Sequence, residues 1–138
     1  MRVVIDSSVL ISLFSEEDKF HELALNTMKQ IRKEDLEVYI STLVLPEVCG
    51  GITRVTQDKR KAQQAKSQIE ELIKSGVFNV EELTEERMFN SAIFAIKFAV
   101  KGADAIISSL AQEKGAYLAT FDEKLRKKIT GKVKLFEI

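Results

Sequence analysis

Residues 3–8, Val3-Val4-Ile5-Asp6-Ser7-Ser8, set how the rest of the chain is read. Three consecutive β-branched residues with no polar alternation describe a strand covered on both faces, as at the centre of a parallel sheet. The run stops at an acid, and Ser7 and Ser8 are good N-terminal caps for a helix through about Phe14. A buried strand that ends in a carboxylate and turns into a helix opens a βα unit. Ligands in open parallel sheets sit beyond the carboxyl ends of the strands, which makes Asp6 the first candidate site residue.

Working outward, a second helix is predicted from about Glu17 to Arg32, with Phe20, Leu23, Ala24 and Met28 along one face. Val38-Tyr39-Ile40 reads as the second strand. Ser41 or Thr42 caps the next helix, Pro46 fits its first turn, and Glu47 follows directly. Gly50-Gly51 weakens the middle of that segment, and a long charged helix covers about Gln57 to Ser75 before Gly76 stops it. Residues 77–80 make a short strand. A helix follows from Thr84 to Val100 with a broad apolar surface of Met88, Phe89, Ala92, Ile93, Ile96 and Val100, broken by Gly102. Ala103 to Lys114 is helical with Ile106, Ile107, Leu110 and Ala111 inward, and Gly115 ends it before a strand at 116–119. Asp122 opens a short basic helix, and Val133 to Phe136 reads as a last strand. The alternation predicts an α/β fold: a mostly parallel central sheet of about four or five strands, flanked by helices on both faces with right-handed crossovers. No repeat, linker or low-complexity tract divides residues 1–138, so a single domain is expected.

Composition narrows the chemistry. The 138 residues are 45% hydrophobic, ample for one core, and 21 basic side chains balance 21 acidic ones. With no net field to draw in a polyanion, any grip on nucleic acid must be local. The lone Cys49 makes no internal disulfide, and the apolar run before Asp6 is too short for a signal peptide or a membrane span, so a soluble, cytoplasmic protein is expected. A single histidine, His21, rules out a histidine acid–base pair, and one His with one Cys argues against zinc. Carboxylates remain, and clusters of them bind hard cations, which favours magnesium or manganese.

Four acids fall where such a cluster would form: Asp6 and Asp122 just past strands, Glu47 and Asp104 in the first turns of helices. Each also has a simpler role open to it. Asp104 and Asp122 are good N-caps, Glu47 gains from the helix dipole, and Asp6 is the least ambiguous because the serines beside it offer caps. The runs Glu16-Glu17-Asp18, Glu70-Glu71, Glu81-Glu82 and Glu85-Glu86 read as solvated helix faces and starts. Cys49 is most simply a small buried hydrophobe.

The ordered set Val4-Ile5-Asp6-Ser7-Ser8, Ser41 through Leu45-Pro46-Glu47-Val48, Gly102-Ala103-Asp104-Ala105-Ile106-Ile107 and Leu118-Ala119-Thr120-Phe121-Asp122 resembles the PIN-domain nucleases, in particular the VapC-type toxins of prokaryotic toxin–antitoxin pairs. The resemblance spans the chain. It implies a PIN-like parallel α/β fold and a metal-dependent endoribonuclease. Asp6 and Asp104 would be the chief magnesium ligands, with Glu47 and Asp122 completing the shell directly or through water. Thr120 would support the site by hydrogen bonding, and Ser7 is placed with it in the outer shell. Asp122 matches the fourth family position, which tolerates variation to Asn or Ser, and Glu123 stands beside it.

Basic residues could line an RNA path, with Arg54, Arg60 and Lys124 as the named contacts, although lysine-rich helix faces also serve solubility alone. Phe94 and Phe98 stand on a second side of the 84–100 helix, more apolar surface than one core contact needs, which suggests a homodimer. The face carrying Val9, Leu10, Leu13 and Phe14 suggests a seat for an antitoxin segment. Two other functions fit the same acids. An aspartyl-nucleophile phosphohydrolase would use Asp6 alone, but it normally has a second Asp where Ser8 stands. A non-catalytic PIN-like module binding RNA or protein would keep the fold without turnover.

Overall fold

The computed structural model describes residues 1–137. Four strands, β1 (Arg2–Ile5), β2 (Glu37–Ser41), β3 (Phe78–Glu81) and β4 (Tyr117–Ala119), form one sheet in the order β3-β2-β1-β4. Every pairing in it is parallel, with Val3 opposite both Val38 and Tyr117, and Val38 opposite Phe78. Val3, Val4 and Ile5 are each fully buried, so both faces of the central strand are covered, as its unbroken apolar run requires.

Each crossover between strands carries two helices. The first pair is α1 (Ser7–Leu13) and α2 (His21–Lys33), the second α3 (Val44–Thr56) and α4 (Lys59–Lys74), and the third α5 (Glu85–Phe98) and α6 (Gly102–Lys114); α7 (Glu123–Ile129) follows β4. Helix α6 packs across β1, β2 and β4, with α5 outside it, while α3 lies between α1 and α4. The third crossover returns past β1 to place β4 on its free side, so the connections leaving β1 and β4 diverge at the carboxyl edge of the sheet. That divergence is where an α/β sheet opens a crevice.

Several boundaries differ from the sequence expectation. Helix α2 starts at His21 rather than Glu17, because Asp18 Oδ1 accepts from Ser12 Oγ (3.1 Å) and from the Phe20 amide (2.8 Å), fixing a turn ahead of it. Its buried face is Ala24, Thr27 and Ile31, leaving Phe20 and Leu23 exposed. Helix α3 runs unbroken through Gly50-Gly51, and Gly51 is needed for packing: a Cβ there would stand 2.6 Å from Ile11 Cδ1 on α1. Helix α5 ends on left-handed Ala99, and Gly102 begins α6 instead of breaking α5. The broad face Met88, Phe89, Ile93 and Ile96 points to solvent, with Ile96 85% exposed, and α5 buries Ser91 and Phe94 instead. Ser91 Oγ and Ser109 Oγ lie 3.0 Å apart, so small residues let α5 and α6 approach closely.

Residues 133–136 form no named strand. One parallel bridge, Leu118 to Leu135, carries amide bonds from Leu118 to Lys134 O (2.8 Å) and from Phe136 to Leu118 O (2.9 Å). β4 is only three residues long and offers no more ladder than this. Phe136 is nevertheless buried, edge-on to Tyr117.

Candidate active site

Asp6 leaves β1 with extended backbone and occupies the N-cap position of α1, yet its carboxylate caps nothing. Instead Oδ2 accepts from Ser8 Oγ at 2.8 Å and from Thr120 Oγ1 at 2.7 Å. The same two hydroxyls receive the next amides of the β4–α7 turn: Phe121 N donates to Ser8 Oγ (3.0 Å) and Asp122 N to Thr120 Oγ1 (3.1 Å). Two loops distant in sequence are thereby joined through one carboxylate. The expectation that Ser7 and Ser8 cap α1 is corrected, since both lie inside the helix; Asp6 is free of capping because hydroxyls hold it sideways. Sequence reasoning placed Ser7 in the outer shell and passed over Ser8. The missed signal was the i, i+2 spacing, which puts Ser8 in the first turn beside Asp6.

Glu47 enters from α3. Its Oε1 is buried with no hydrogen-bond partner. Burial pushes its carboxyl above the usual range, and the Asp6 and Asp104 charges add to the rise; the Ser7 hydroxyl opposes it. Asp104, in the first turn of α6, makes no cap, because the cap position is Lys101 and carries no side-chain capping bond. Its carboxyl is also pushed up, first by burial and then by Asp6 and Asp122, while Lys101 and Lys128 pull the other way. Asp122 does cap: its Oδ1 accepts from Leu125 N at 3.1 Å, so the simpler role open to it is the one seen, alongside its influence on Asp104.

Asp6, Glu47 and Asp104 therefore feel one another's charge at the carboxyl edge of the sheet, to which α3 and α6 present their first turns, and Asp122 reaches this group through Asp104. They are neighbours rather than a finished cage: among the described residues no three His, Cys, Asp or Glu side chains are grouped tightly enough to hold one metal ion. The donor set still suits a hard cation. All its ligands would be oxygens, one oxygen is buried without a partner, and magnesium commonly takes one or two carboxylates and keeps several waters.

Other named residues lie outside this cluster. Arg54, Arg60 and Lys124 are exposed, and among the described residues none of their side chains forms an ion pair or a hydrogen bond. The cations that face the acids are Lys101, which sequence reasoning did not select, and Lys128. No lysine or arginine hydrogen bond reaches Asp6 among the described residues, which weakens an aspartyl-nucleophile reading. His21 Nδ1 is tied to Ser12 O (2.9 Å), and burial raises the Cys49 thiol, so neither offers a nucleophile.

Such a sheet, with acids converging where its first and last strands diverge, defines an α/β protein with a candidate cation site at the switch point. The chain belongs to the PIN domain family, whose model matches residues 3–129. Solved structures share the fold over nearly the whole chain. VapC20 of Mycobacterium tuberculosis, described as a Sarcin-Ricin loop cleaving toxin, superposes with a TM-score of 0.77 at 19% identity, covering 99% of each chain. VapBC2 from Rickettsia felis, bound to a DNA fragment from its promoter, gives 0.71 at 18%, covering 99% of this chain and 98% of that one. A toxin–antitoxin complex from Klebsiella pneumoniae gives 0.63 at 24%, with 99% of each covered. No curated protein matches the chain in sequence. The single-domain α/β architecture is thus the PIN fold found in VapC toxins.

Proposed function

We propose that the protein is a magnesium- or manganese-dependent endoribonuclease, the toxin half of a toxin–antitoxin pair. The observation that carries this is the half-buried Glu47 carboxylate, one of whose oxygens is buried without a partner, set against Asp6 and Asp104, with the carboxyls of both Glu47 and Asp104 pushed above the usual range. Several carboxylates crowded without a cation repel one another, and that repulsion is what a divalent ion relieves. Phosphodiester hydrolysis needs an activated water and neutralised phosphate charge, both of which a bound divalent cation supplies. In this reading Asp6 and Asp104 are the chief ligands, Glu47 and Asp122 complete the shell, and Thr120 and Ser8 fix the Asp6 rotamer. Ser7 steadies Glu47.

The partners follow from surfaces. Val9 and Leu10 are core residues, so the antitoxin seat moves to the groove of about 270 Å³ between the end of α1 and α4, walled by Leu13, Phe14, Lys61, Gln64 and Ala65. The exposed Met88, Phe89, Ile93 and Ile96 face of α5 is the proposed homodimer contact. Among the described residues no helix is long and apolar enough to cross a membrane. A non-catalytic module is the second reading, favoured by the absence of a tight three-acid group.

Purified protein incubated with structured RNAs and magnesium or manganese, beside Asp6→Asn and Asp104→Asn, decides between them. Cleavage that needs the metal and is lost in both variants supports the nuclease. Metal-independent RNA binding without cleavage, or cleavage equal in wild type and variants, would sink it.

A further inference from the structure

Beside the acids lies an open groove of about 190 Å³ lined by Phe20, Leu23, Thr120, Phe121, Glu123 and Arg126. Its walls are aromatic: the Phe20 and Phe121 rings sit with centroids 5.8 Å apart, tilted by 47°, and Phe20 remains 39% exposed. Phe20 is held there by the Asp18 turn rather than by core packing, since its amide donates to Asp18 Oδ1 at 2.8 Å. Cations flank the rings. Lys19 Nζ stands 5.0 Å from the Phe20 centroid, and Arg126 Nη1 donates to Thr120 O at 3.3 Å, leaving most of its guanidinium fork for another acceptor. The groove is tied to the acidic site through Thr120, a buried residue of its lining that donates to Asp6 Oδ2.

From this juxtaposition we infer that the groove stacks an unpaired base of an RNA strand, while Arg126 meets a neighbouring phosphate. The inference rests on the nuclease reading and names how that site holds its substrate. Aromatic faces accept any base by stacking, and a cation beside them adds attraction for the backbone. The lining itself balances Arg126 against Glu123, with Lys19 over the outer ring and Asp18 beneath it, so the paired ring faces and the free part of the Arg126 fork, rather than net charge, select a stacked base with its phosphate; an apolar peptide is the other occupant the test can reveal. The chemistry also selects single-stranded substrate, because a base within a duplex has no free face to offer.

The test is a fluorescence titration of a short single-stranded oligoribonucleotide carrying 2-aminopurine, with the protein kept in EDTA so that cleavage does not intervene. Stacking quenches the probe. Phe121→Leu and, independently, the more exposed Phe20→Leu should weaken binding roughly 5- to 100-fold and relieve the quenching. Phe121→Trp should retain both, and a duplex of the same sequence should not quench. Wild-type binding and quenching in both leucine variants, or binding without quenching in the wild-type protein, overturns the inference. So does loss of binding in Phe121→Trp with its melting temperature unchanged. Quenching that persists in a protein that cleaves no RNA with any metal removes the nuclease reading and leaves the groove. Cleavage at unchanged KM by both leucine variants removes the groove and leaves the nuclease.

Discussion

Two charged clusters on this small domain handle their acids in opposite ways. On the α5–α6 side, Arg87 bridges Glu81 (3.0 Å) and Glu113 (2.8 Å), and Lys114 reaches Glu81 (2.7 Å) while lying 4.3 Å from the Tyr39 ring centroid. The Lys114 and Arg87 partners hold Glu81 below the usual carboxylate range, and Arg87 does the same for Glu113. At the carboxyl edge of the sheet, Glu47 and Asp104 shift the other way, with only Lys101 and Lys128 opposing Asp104. The same chain thus neutralises one set of acids internally and leaves the other set charged against itself. The first cluster is architecture; the second is left without cations enough to neutralise it, as the proposed function requires.

The contrast is most severely tested by activity. Asp6→Asn or Asp104→Asn should lower metal-dependent RNA cleavage by more than about 100-fold, the upper end of what losing even an outer partner of a metal ligand costs. Arg87→Met, by comparison, should leave cleavage by the folded enzyme intact and cost about 1 kcal/mol or less of stability in urea unfolding, because Glu81 keeps Lys114 and the half-exposed Glu113 is screened by solvent. A cleavage defect in Arg87→Met at temperatures where it remains folded would erase the distinction between the clusters.

How much of this contrast the sequence displays depends on the element. Strand β1, the helix order and the positions of all four acids are readable because unbroken β-branched runs and Gly stops mark them locally. The faces of α5 are not, since the helix carries apolar residues on two sides and only its partner's small residues, Ser91 against Ser109, decide which side goes in. The segment Val133 to Phe136 has a strand's composition, but a three-residue β4 limits what it can pair with. At the site, Ser8 reads first as a helix cap, and its i, i+2 bond to Asp6 gains meaning only with the Phe121 amide more than a hundred positions away, while Lys101 faces Asp104 across a helix start. Arg54, Arg60 and Lys124 are exposed in the structure, which suits an RNA contact and a solvating charge equally.

A subtler pair of measurements sharpens the electrostatics. Glu47 and Asp104 have raised values in the folded chain, so the folded state holds their protons more tightly. Their contribution to stability is full below the ordinary carboxylate range and is lost as pH rises through the raised values. Metal-free melts should therefore show Glu47→Gln raising the midpoint near neutral pH by roughly 2–4 °C, a shift kept small by solvent screening, and doing little near pH 4. For Glu81 and Glu113, lowered in the fold, the sign reverses: their contribution is present above the ordinary range and lost on acidification through the lowered values. Adding magnesium at neutral pH should stabilise wild type and fail to stabilise Asp104→Asn. The smallest effect belongs to Lys128→Met, which removes a cation facing Asp104; magnesium affinity by calorimetry should rise about twofold at low salt and converge with wild type in high salt.

The bond from Thr120 Oγ1 to Asp6 Oδ2 spans 114 positions of the chain. A growing polypeptide carries Asp6 and Glu47 long before it carries the hydroxyl that orients the first of them, and β4 is the last strand to pair against β1. Closing so long a loop comes late in folding, when most local structure already exists. A chain interrupted anywhere before Thr120 keeps only the Ser8 hydroxyl on Asp6, so the two-point hold on that carboxylate belongs to chains that include the β4–α7 turn.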